Sequence, residues 1–298
     1  MKKYILWLII TGIIVIYFLP VEQFEFEELY TYEDNVRISL NEFRKEPNKL
    51  ITFKGQSVEY YSSGVGDTAM LFLHGMGGSY DIWWQQINHF KGKNQIISFT
   101  YPEVKTLKDL SHCIILILEN EKIKKVNLIG SSLGGYLAQY FAENYPEHVL
   151  KMSLGNTFPP NFENKNKNAS LAFMMKLLPE WVVIKMIRKK YNAEVVPAAG
   201  NSLLVKAFLN ELLGQRVDKK AFISRYDCVV DTFTLNKSLH IPVQIIESDN
   251  DPLVSENLRK QLKQSYPNAL TITLNGKGHF PYLNDADRYN QVLNDFLK

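Results

Sequence analysis

One serine lies between two glycines in a pattern that is typical of an activated nucleophile. Residues 130–134 read GSSLG, which fits the spacing G-x-S-x-G with Ser132 at its centre. An apolar run precedes this pentapeptide and an amphipathic run follows it. A strand that turns sharply into a helix exposes the hydroxyl of its apex residue, and the helix N-terminus favours negative charge beside it. Ser132 is therefore the candidate nucleophile.

A serine hydroxyl is a weak nucleophile, so it needs a base and an acid that orients the base. His279 lies in NGKGHFPYL, between the last predicted strand and the last predicted helix. The segment ESDNDPLVSE follows the predicted strand IPVQII and offers Glu247, Asp249 and Asp251. We predict Asp251 as the acid and keep Asp249 as the alternative, because Asp249 can instead cap the turn or the next helix. The resulting chain order Ser, Asp, His is one that supports nucleophilic catalysis.

Negative charge on a reacting carbonyl oxygen must also be stabilised, and backbone N–H groups can do so. The glycine-rich segment HGMGG follows the predicted strand AMLFL. We predict that the N–H of Met76 and the N–H of Leu133 form an oxyanion hole. Taken alone, the same glycines are also compatible with a plain flexible loop.

The elements that must position these residues alternate between strands and helices. The segment ITFKGQSVEYYSSG predicts a hairpin with a glycine turn, and six further apolar runs predict strands. These runs are AMLFLH, QIISFTYP, KVNLIG, VLKMSLGN, IPVQIIESD and ALTITLNG. Continuous apolar strands separated by helical segments favour an α/β fold, with a mostly parallel eight-stranded sheet and helices on both faces.

The strand pattern is interrupted between residues 157 and 240, where apolar residues have helical spacing. We predict an α/β core formed by residues 50–156 and 241–298, with residues 157–240 inserted as a helical cap. Residues 21–49 are expected to form a stalk or a surface-packing segment. Apolar cap residues would suit a hydrophobic substrate group, although at helical spacing they more often form the core of the cap; they are Phe173, Met174, Met175, Trp181 and Phe208.

Residues 1–20 differ from the rest of the chain. Residues 4–19 carry no charge, Lys2 and Lys3 precede them, and no small-residue cleavage site follows. This pattern predicts an uncleaved signal anchor, a single transmembrane helix whose N-terminus is cytoplasmic and whose catalytic domain lies outside the cell membrane. Secretion after signal cleavage is the alternative, and a buried core helix is a weaker one.

Composition excludes other classes. The 34 Lys and Arg residues against 31 Asp and Glu give a net charge of only +3, with no basic stripe, so a nucleic-acid partner has no support. The two cysteines and six histidines have no metal-ligand spacing. We therefore expect no metal, and nucleophilic catalysis by Ser132 needs no cofactor. Cys113 lies in a predicted helix over the sheet and Cys228 in the predicted cap, so we expect two separate thiols.

Together, these motifs resemble the α/β-hydrolase fold family over roughly residues 50–298. Within it, FTYPEV, GSSLGGYLAQYFAE, LGNTF and SYPNALTITLNGKGHFPYL are similar to maspardin-like members. Those members are understood to lack a complete triad and to act as binding proteins, whereas this sequence keeps His279 and Asp251. This departure, together with the α/β-hydrolase resemblance, favours an active serine hydrolase with an esterase-like or lipase-like activity on an apolar ester or related carbonyl compound. A membrane-tethered, non-catalytic binding or scaffold protein is the alternative.

Overall fold

A computed structural model describes residues 2–31, 34–66, 68–160, 173–235 and 239–298. Within these residues, eight strands form one sheet in the order β1-β2-β4-β3-β5-β6-β7-β8. The strands are β1 Lys49–Phe53, β2 Gln56–Gly64, β3 Ala69–Leu73, β4 Gln95–Phe99, β5 Val126–Ser131, β6 Val149–Gly155, β7 Val243–Glu247 and β8 Leu270–Thr273. β2 is antiparallel to both β1 and β4, and the remaining pairs are parallel. The predicted mostly parallel sheet is confirmed.

The predicted hairpin joins β1 and β2. Phe53 and Gln56 are partners at its tip, and the turn residues Lys54 and Gly55 have φ angles of 49° and 76°. Two successive positive φ values are typical of the tight turns that match the twist of paired strands. The glycine at the second position adopts this conformation without a Cβ clash.

Helices cover both faces of the sheet, as predicted. The helices among the described residues include α1 Lys2–Tyr17, α2 Phe26–Leu29, α3 Asp34–Lys45, α4 Trp84–Phe90, α5 Leu107–Asn120, α6 Leu133–Asn144, α7 Glu180–Lys190, α8 Val196–Ala198, α9 Leu203–Glu211, α10 Lys219–Val229, α11 Glu256–Ser265, α12 Pro281–Asn284 and α13 Ala286–Leu297. Successive side chains of β3 enter two different apolar clusters: Met70 and Phe72 pack on one face, and Leu71 and Leu73 pack on the other. The core therefore has two layers, one on each side of the sheet.

Helices α7–α10 lie between β6 and β7, and we call them the cap helices. Among the described residues of this stretch there is no strand, only an isolated bridge between Leu213 and Val217. Phe208 of α9 is fully buried and stacks on Trp84 with ring centroids 5.4 Å apart. This aromatic side chain therefore belongs to the core of the protein. Cys113 of α5 and Cys228 of α10 are buried free thiols, which confirms that prediction.

The segment before β1 packs against both the core and the cap helices. Tyr30, Leu40 and Phe43 are buried in the same apolar cluster as Met70. Arg44 pairs with Asp81 at 2.8 Å and with Glu211 of α9 at 2.7 Å. Apolar contacts and partly buried ion pairs thus attach this segment to the rest of the protein.

The prediction for the first residues needs correction. Helix α1 has 16 residues, which corresponds to about 24 Å at 1.5 Å per residue, against a hydrocarbon core of about 30 Å. No helix among the described residues combines the length and the apolar character that crossing a membrane requires. The predicted transmembrane signal anchor, the membrane as a partner and the single-pass localisation at the cell membrane are therefore wrong.

Candidate active site

Five chain segments meet at the carboxyl edge of the sheet. β3, β5, β6, β7 and β8 are neighbours in that order, and parallel strands end at the same edge. The loops that leave them carry, in the same order, HGMGG, Ser132, Asn156, Asp251 and His279. Crevices at the carboxyl ends of parallel strands are where such sheets bind ligands. This edge is therefore the candidate active site.

Ser132 occupies the sharp turn between β5 and α6. It has φ of 55° and ψ of −122°, a conformation that is strained for a residue with a Cβ. Two residues at the end of β6 hold this turn. The Ser132 N–H donates to the Gly155 carbonyl at 3.0 Å, and the Thr157 hydroxyl donates to the Ser132 carbonyl at 2.6 Å. The Ser132 side chain remains partly exposed.

The glycines on either side of this turn allow close backbone approach. A Cβ on Gly130 would lie 2.3 Å from the Gly134 carbonyl oxygen, and a Cβ on Gly134 would lie 2.0 Å from the Leu73 carbonyl oxygen. Both distances are far below van der Waals contact. The G-x-S-x-G spacing is therefore required for α6 to pack over the ends of β3 and β5.

Asp251 and His279 form a buried pair. The His279 Nδ1 lies 2.9 Å from Asp251 Oδ1 and 2.8 Å from Oδ2. Because the partner is a carboxylate, Nδ1 carries the ring hydrogen of neutral His279, and Nε2 is left as a proton acceptor. The loops after β7 and β8 bring these two residues together across a separation of 28 positions.

Asp251 is held in its ionised form by its surroundings. Burial alone would raise the pKa of its carboxyl group, but His279, the Asn156 side chain and the Leu253 N–H together hold that pKa below its usual range. The Asn156 Nδ2 donates to Oδ2 at 2.8 Å, and the N–H groups of Leu253 and Val254 donate to Oδ1 at 2.8 and 3.1 Å. The carboxylate can therefore orient His279 without accepting its proton.

The alternative acid, Asp249, lies elsewhere. It is exposed, and its Oδ1 accepts a 2.7 Å hydrogen bond from the Gly276 N–H in the loop after β8. The intervening Asn250 accepts from the Gly278 N–H at 2.9 Å and donates to the Ala198 carbonyl of α8 at 2.8 Å. Asp249 and Asn250 thus order the loop that carries His279, and Asp251 contacts the imidazole.

The HGMGG segment lies beside Ser132. A Cβ on Gly75 would be 3.2 Å from the Ser132 Cβ, so the two backbones are in close contact. The Gly75 carbonyl accepts from the Gly78 N–H at 3.0 Å and from His74 Nδ1 at 2.7 Å. The Gly75 carbonyl and the Met76 N–H belong to the same peptide and point in opposite directions. Because Gly78 and His74 bind the carbonyl, the Met76 N–H points away from both of them.

Two functional neighbours escaped the sequence-based prediction. Asn156, with φ of 40°, donates to Asp251 and to the Gly278 carbonyl at 3.1 Å. His74 is fully buried, accepts from the Tyr101 N–H at 3.3 Å and stacks on the Tyr101 ring. The sequence did contain a signal for both residues, because His74 and Asn156 are polar residues that directly follow buried parallel strands. Among the described residues, no cluster of His, Cys, Asp and Glu has the makings of a metal site.

The sequence of this chain is similar to those of several known proteins. The family model for the alpha/beta hydrolase fold matches residues 91–286. The chain is 27% identical to maspardin of Mus musculus over 219 residues, covering 72% of this chain and 70% of maspardin. It is 25% identical over 266 residues to a 2-hydroxy-6-oxononadienedioate/2-hydroxy-6-oxononatrienedioate hydrolase of Paraburkholderia phymatum, covering 80% of this chain and 90% of that enzyme.

A solved structure supports the fold assignment. The enol-lactonase of Burkholderia xenovorans LB400 superposes with a TM-score of 0.71 at 15% identity, over 84% of this chain and 99% of that one. The resemblance to maspardin that the sequence motifs predicted is confirmed at the level of the whole alignment. This protein belongs to the alpha/beta hydrolase fold family.

Proposed function

We propose that this protein is a serine hydrolase that cleaves an ester-like carbonyl bond through an acyl-enzyme intermediate. Ser132 is the nucleophile, His279 the general base and Asp251 the acid that orients it. The N–H groups of Met76 and Leu133 bind the oxyanion. A carboxylic ester with an apolar acyl or alkyl group is the proposed class of substrate.

One observation carries this proposal: the end of β6 links the nucleophile to the base and its acid. Gly155 accepts the hydrogen bond of the Ser132 N–H, and the next residue, Asn156, donates to both Asp251 and the Gly278 carbonyl beside His279. A strained serine and a buried imidazole–carboxylate pair thus share a single two-residue support. This combination costs stability and is typical of a nucleophilic site.

The proposed reaction has two steps, acylation of Ser132 and hydrolysis of the acyl-enzyme. In the first, Ser132 Oγ attacks the carbonyl carbon while its proton passes to His279 Nε2; the C–O bond of the ester then breaks, and the alcohol leaves with that proton. In the second, water attacks the acyl-enzyme and gives a proton to the same nitrogen. Return of this proton to Ser132 releases the carboxylic acid. Asp251 stabilises the imidazolium in both steps.

Labelling by a fluorophosphonate probe tests the proposal, because only an activated serine reacts. We expect the full-length protein to be labelled and to hydrolyse p-nitrophenyl esters, with a preferred chain length that defines the acyl pocket. Ser132→Ala should abolish labelling and lower kcat by about 10⁴-fold or more, whereas Ser131→Ala should retain both. A folded wild-type protein that is neither labelled nor active would instead be a non-catalytic binding protein, the alternative that the resemblance to maspardin-like members implies.

A further inference from the structure

A buried arginine joins the cap helices to the loop beside the nucleophile. Arg225 lies on α10 and is 2% exposed. One nitrogen of its guanidinium, Nη1, donates to the Met76 carbonyl at 3.0 Å and to the Gly78 carbonyl at 2.7 Å. Each of the two hydrogens on Nη1 can therefore serve one carbonyl of the HGMGG segment.

This arginine is an expensive residue to bury. Burial lowers the pKa of Arg225 to about 10, so its guanidinium is still charged near neutral pH. In the part of the chain that the structure describes, no carboxylate forms an ion pair with Arg225, and its buried Nε has no hydrogen-bond partner. A buried charge without an ionic partner destabilises the folded state. Ion pairing therefore does not explain why Arg225 is buried against this loop.

The two carbonyls that Arg225 binds belong to peptides that follow Met76 along the chain. The peptide before Met76 is already oriented, because Gly78 and His74 bind the Gly75 carbonyl. The peptide after Met76 is oriented by Arg225 through the Met76 carbonyl. Both peptide planes that flank Met76 are thus held, and only Arg225 among these donors belongs to the cap helices.

We propose that Arg225 is a positioning residue for the oxyanion hole, which makes the catalytic geometry of Met76 depend on the placement of the cap helices. Arg225 touches neither the substrate nor the reacting atoms in this proposal. It holds the peptide after Met76, while Gly78 and His74 hold the peptide before it, so the Met76 N–H stays in place as a donor when charge develops on the carbonyl oxygen. The inference rests on the proposed function, because an oxyanion forms only if Ser132 attacks a carbonyl.

The test compares two buried arginines of the cap helices. Arg188 of α7 also binds backbone carbonyls, those of Glu22, Asn210 and Leu213, but none of them lies in HGMGG. Arg225→Met and Arg188→Met each remove a buried guanidinium and keep most of the apolar volume. Thermal unfolding of both full-length variants reports the loss of stability, and hydrolysis of p-nitrophenyl butyrate reports kcat and KM separately.

We expect Arg225→Met to lower kcat about tenfold to hundredfold with KM within about twofold of the wild type, somewhat less than the loss of one oxyanion donor. A trifluoromethyl ketone, which forms an oxyanion on Ser132, should bind more weakly by a similar factor. Arg188→Met should keep kcat and this affinity. Arg225→Lys, which retains a charged donor, should recover part of both and serves as the test variant if the methionine variant does not fold.

The outcomes separate the two proposals. A wild-type protein that the fluorophosphonate does not label refutes the proposed function, and the role of Arg225 falls with it. A labelled, active wild type whose arginine variants lose stability equally and keep the same kcat and inhibitor affinity overturns the role of Arg225 alone. A rise in KM with unchanged kcat would also overturn it, because it would place Arg225 in ground-state binding.

Discussion

The amide nitrogen of Asn156 donates a 2.8 Å hydrogen bond to Oδ2 of Asp251, and both side chains are buried. The same nitrogen lies 3.1 Å from the Gly278 carbonyl, next to His279. Asn156 therefore connects β6 to both loops that carry the acid and the base. Its position between the segments of the proposed nucleophile, acid and base makes it the first residue to test.

Asn156→Ala should lower both activity and stability. Loss of a buried hydrogen bond to a charged group costs about 1.5–3 kcal/mol of unfolding free energy, and a less well oriented Asp251 should reduce kcat about tenfold. Urea unfolding and ester hydrolysis measure the two effects. Asn144→Ala is the matched control, since the Asn144 amide donates to the Tyr140 carbonyl on the exposed side of α6. Equal losses in the two variants would show that Asn156 has no special role.

Replacement of the two candidate acids should have very different effects on turnover. Asp251→Asn should lower kcat by about 10⁴-fold, because an amide at this position favours the wrong tautomer of His279 and does not stabilise the imidazolium. Asp249→Asn should cost at most about tenfold, through the Gly276 hydrogen bond that orders the histidine loop. Steady-state kinetics on both full-length variants check this ranking. The reverse ranking would assign the acid to Asp249.

Gly134→Ala should prevent α6 from packing. The added methyl group would lie 2.0 Å from the Leu73 carbonyl oxygen, and neither backbone can move without displacing Ser132 or β3. We expect a loss of about 3 kcal/mol or more in unfolding free energy, at the upper end for overpacked sites. Gly92→Ala is the control, because a Cβ at Gly92 would meet no atom within 4 Å. Similar melting temperatures for both variants would contradict the packing argument.

Acid should destabilise the protein through His74 before it affects the carboxylates. Burial, and next the charge of Arg225, hold the pKa of His74 well below its usual value of about 6.5. Between these two pKa values the unfolded chain binds one more proton than the folded protein, so stability falls as the pH drops below about 6.5. The slope contributed by His74 approaches about 1.4 kcal/mol per pH unit.

Urea unfolding from pH 7.5 to pH 5 measures this dependence. His74→Asn keeps a donor near the Gly75 carbonyl and removes the titrating ring, so its stability should vary less with pH than that of the wild type. His89→Gln, which changes an exposed histidine, controls for the loss of a histidine as such. An unchanged pH slope in His74→Asn would mean that His74 is not the group responsible.

Much of the fold could be predicted because its signals are local. Apolar runs such as AMLFL and KVNLIG mark strands that are buried on both faces, and Pro146 follows the end of α6. The glycine spacing around Ser132 reports a close backbone contact that the structure confirms in the 2.0 Å approach to Leu73. The N-terminal prediction failed because an uncharged apolar run does not specify how many of its residues form a helix, and α1 ends at Tyr17.

The sequence by itself determined the order of the elements, the strained turn at Ser132 and the set of polar residues at the strand ends, because each depends on neighbours within a few positions along the chain. Only the tertiary structure decided that Asp251 rather than Asp249 contacts His279, that Asn156 supports both and that Arg225 reaches the HGMGG loop. These contacts join residues 28 to 149 positions apart. Their geometry depends on how the loops and cap helices pack over the sheet. The spacing of residues along the chain does not determine that packing.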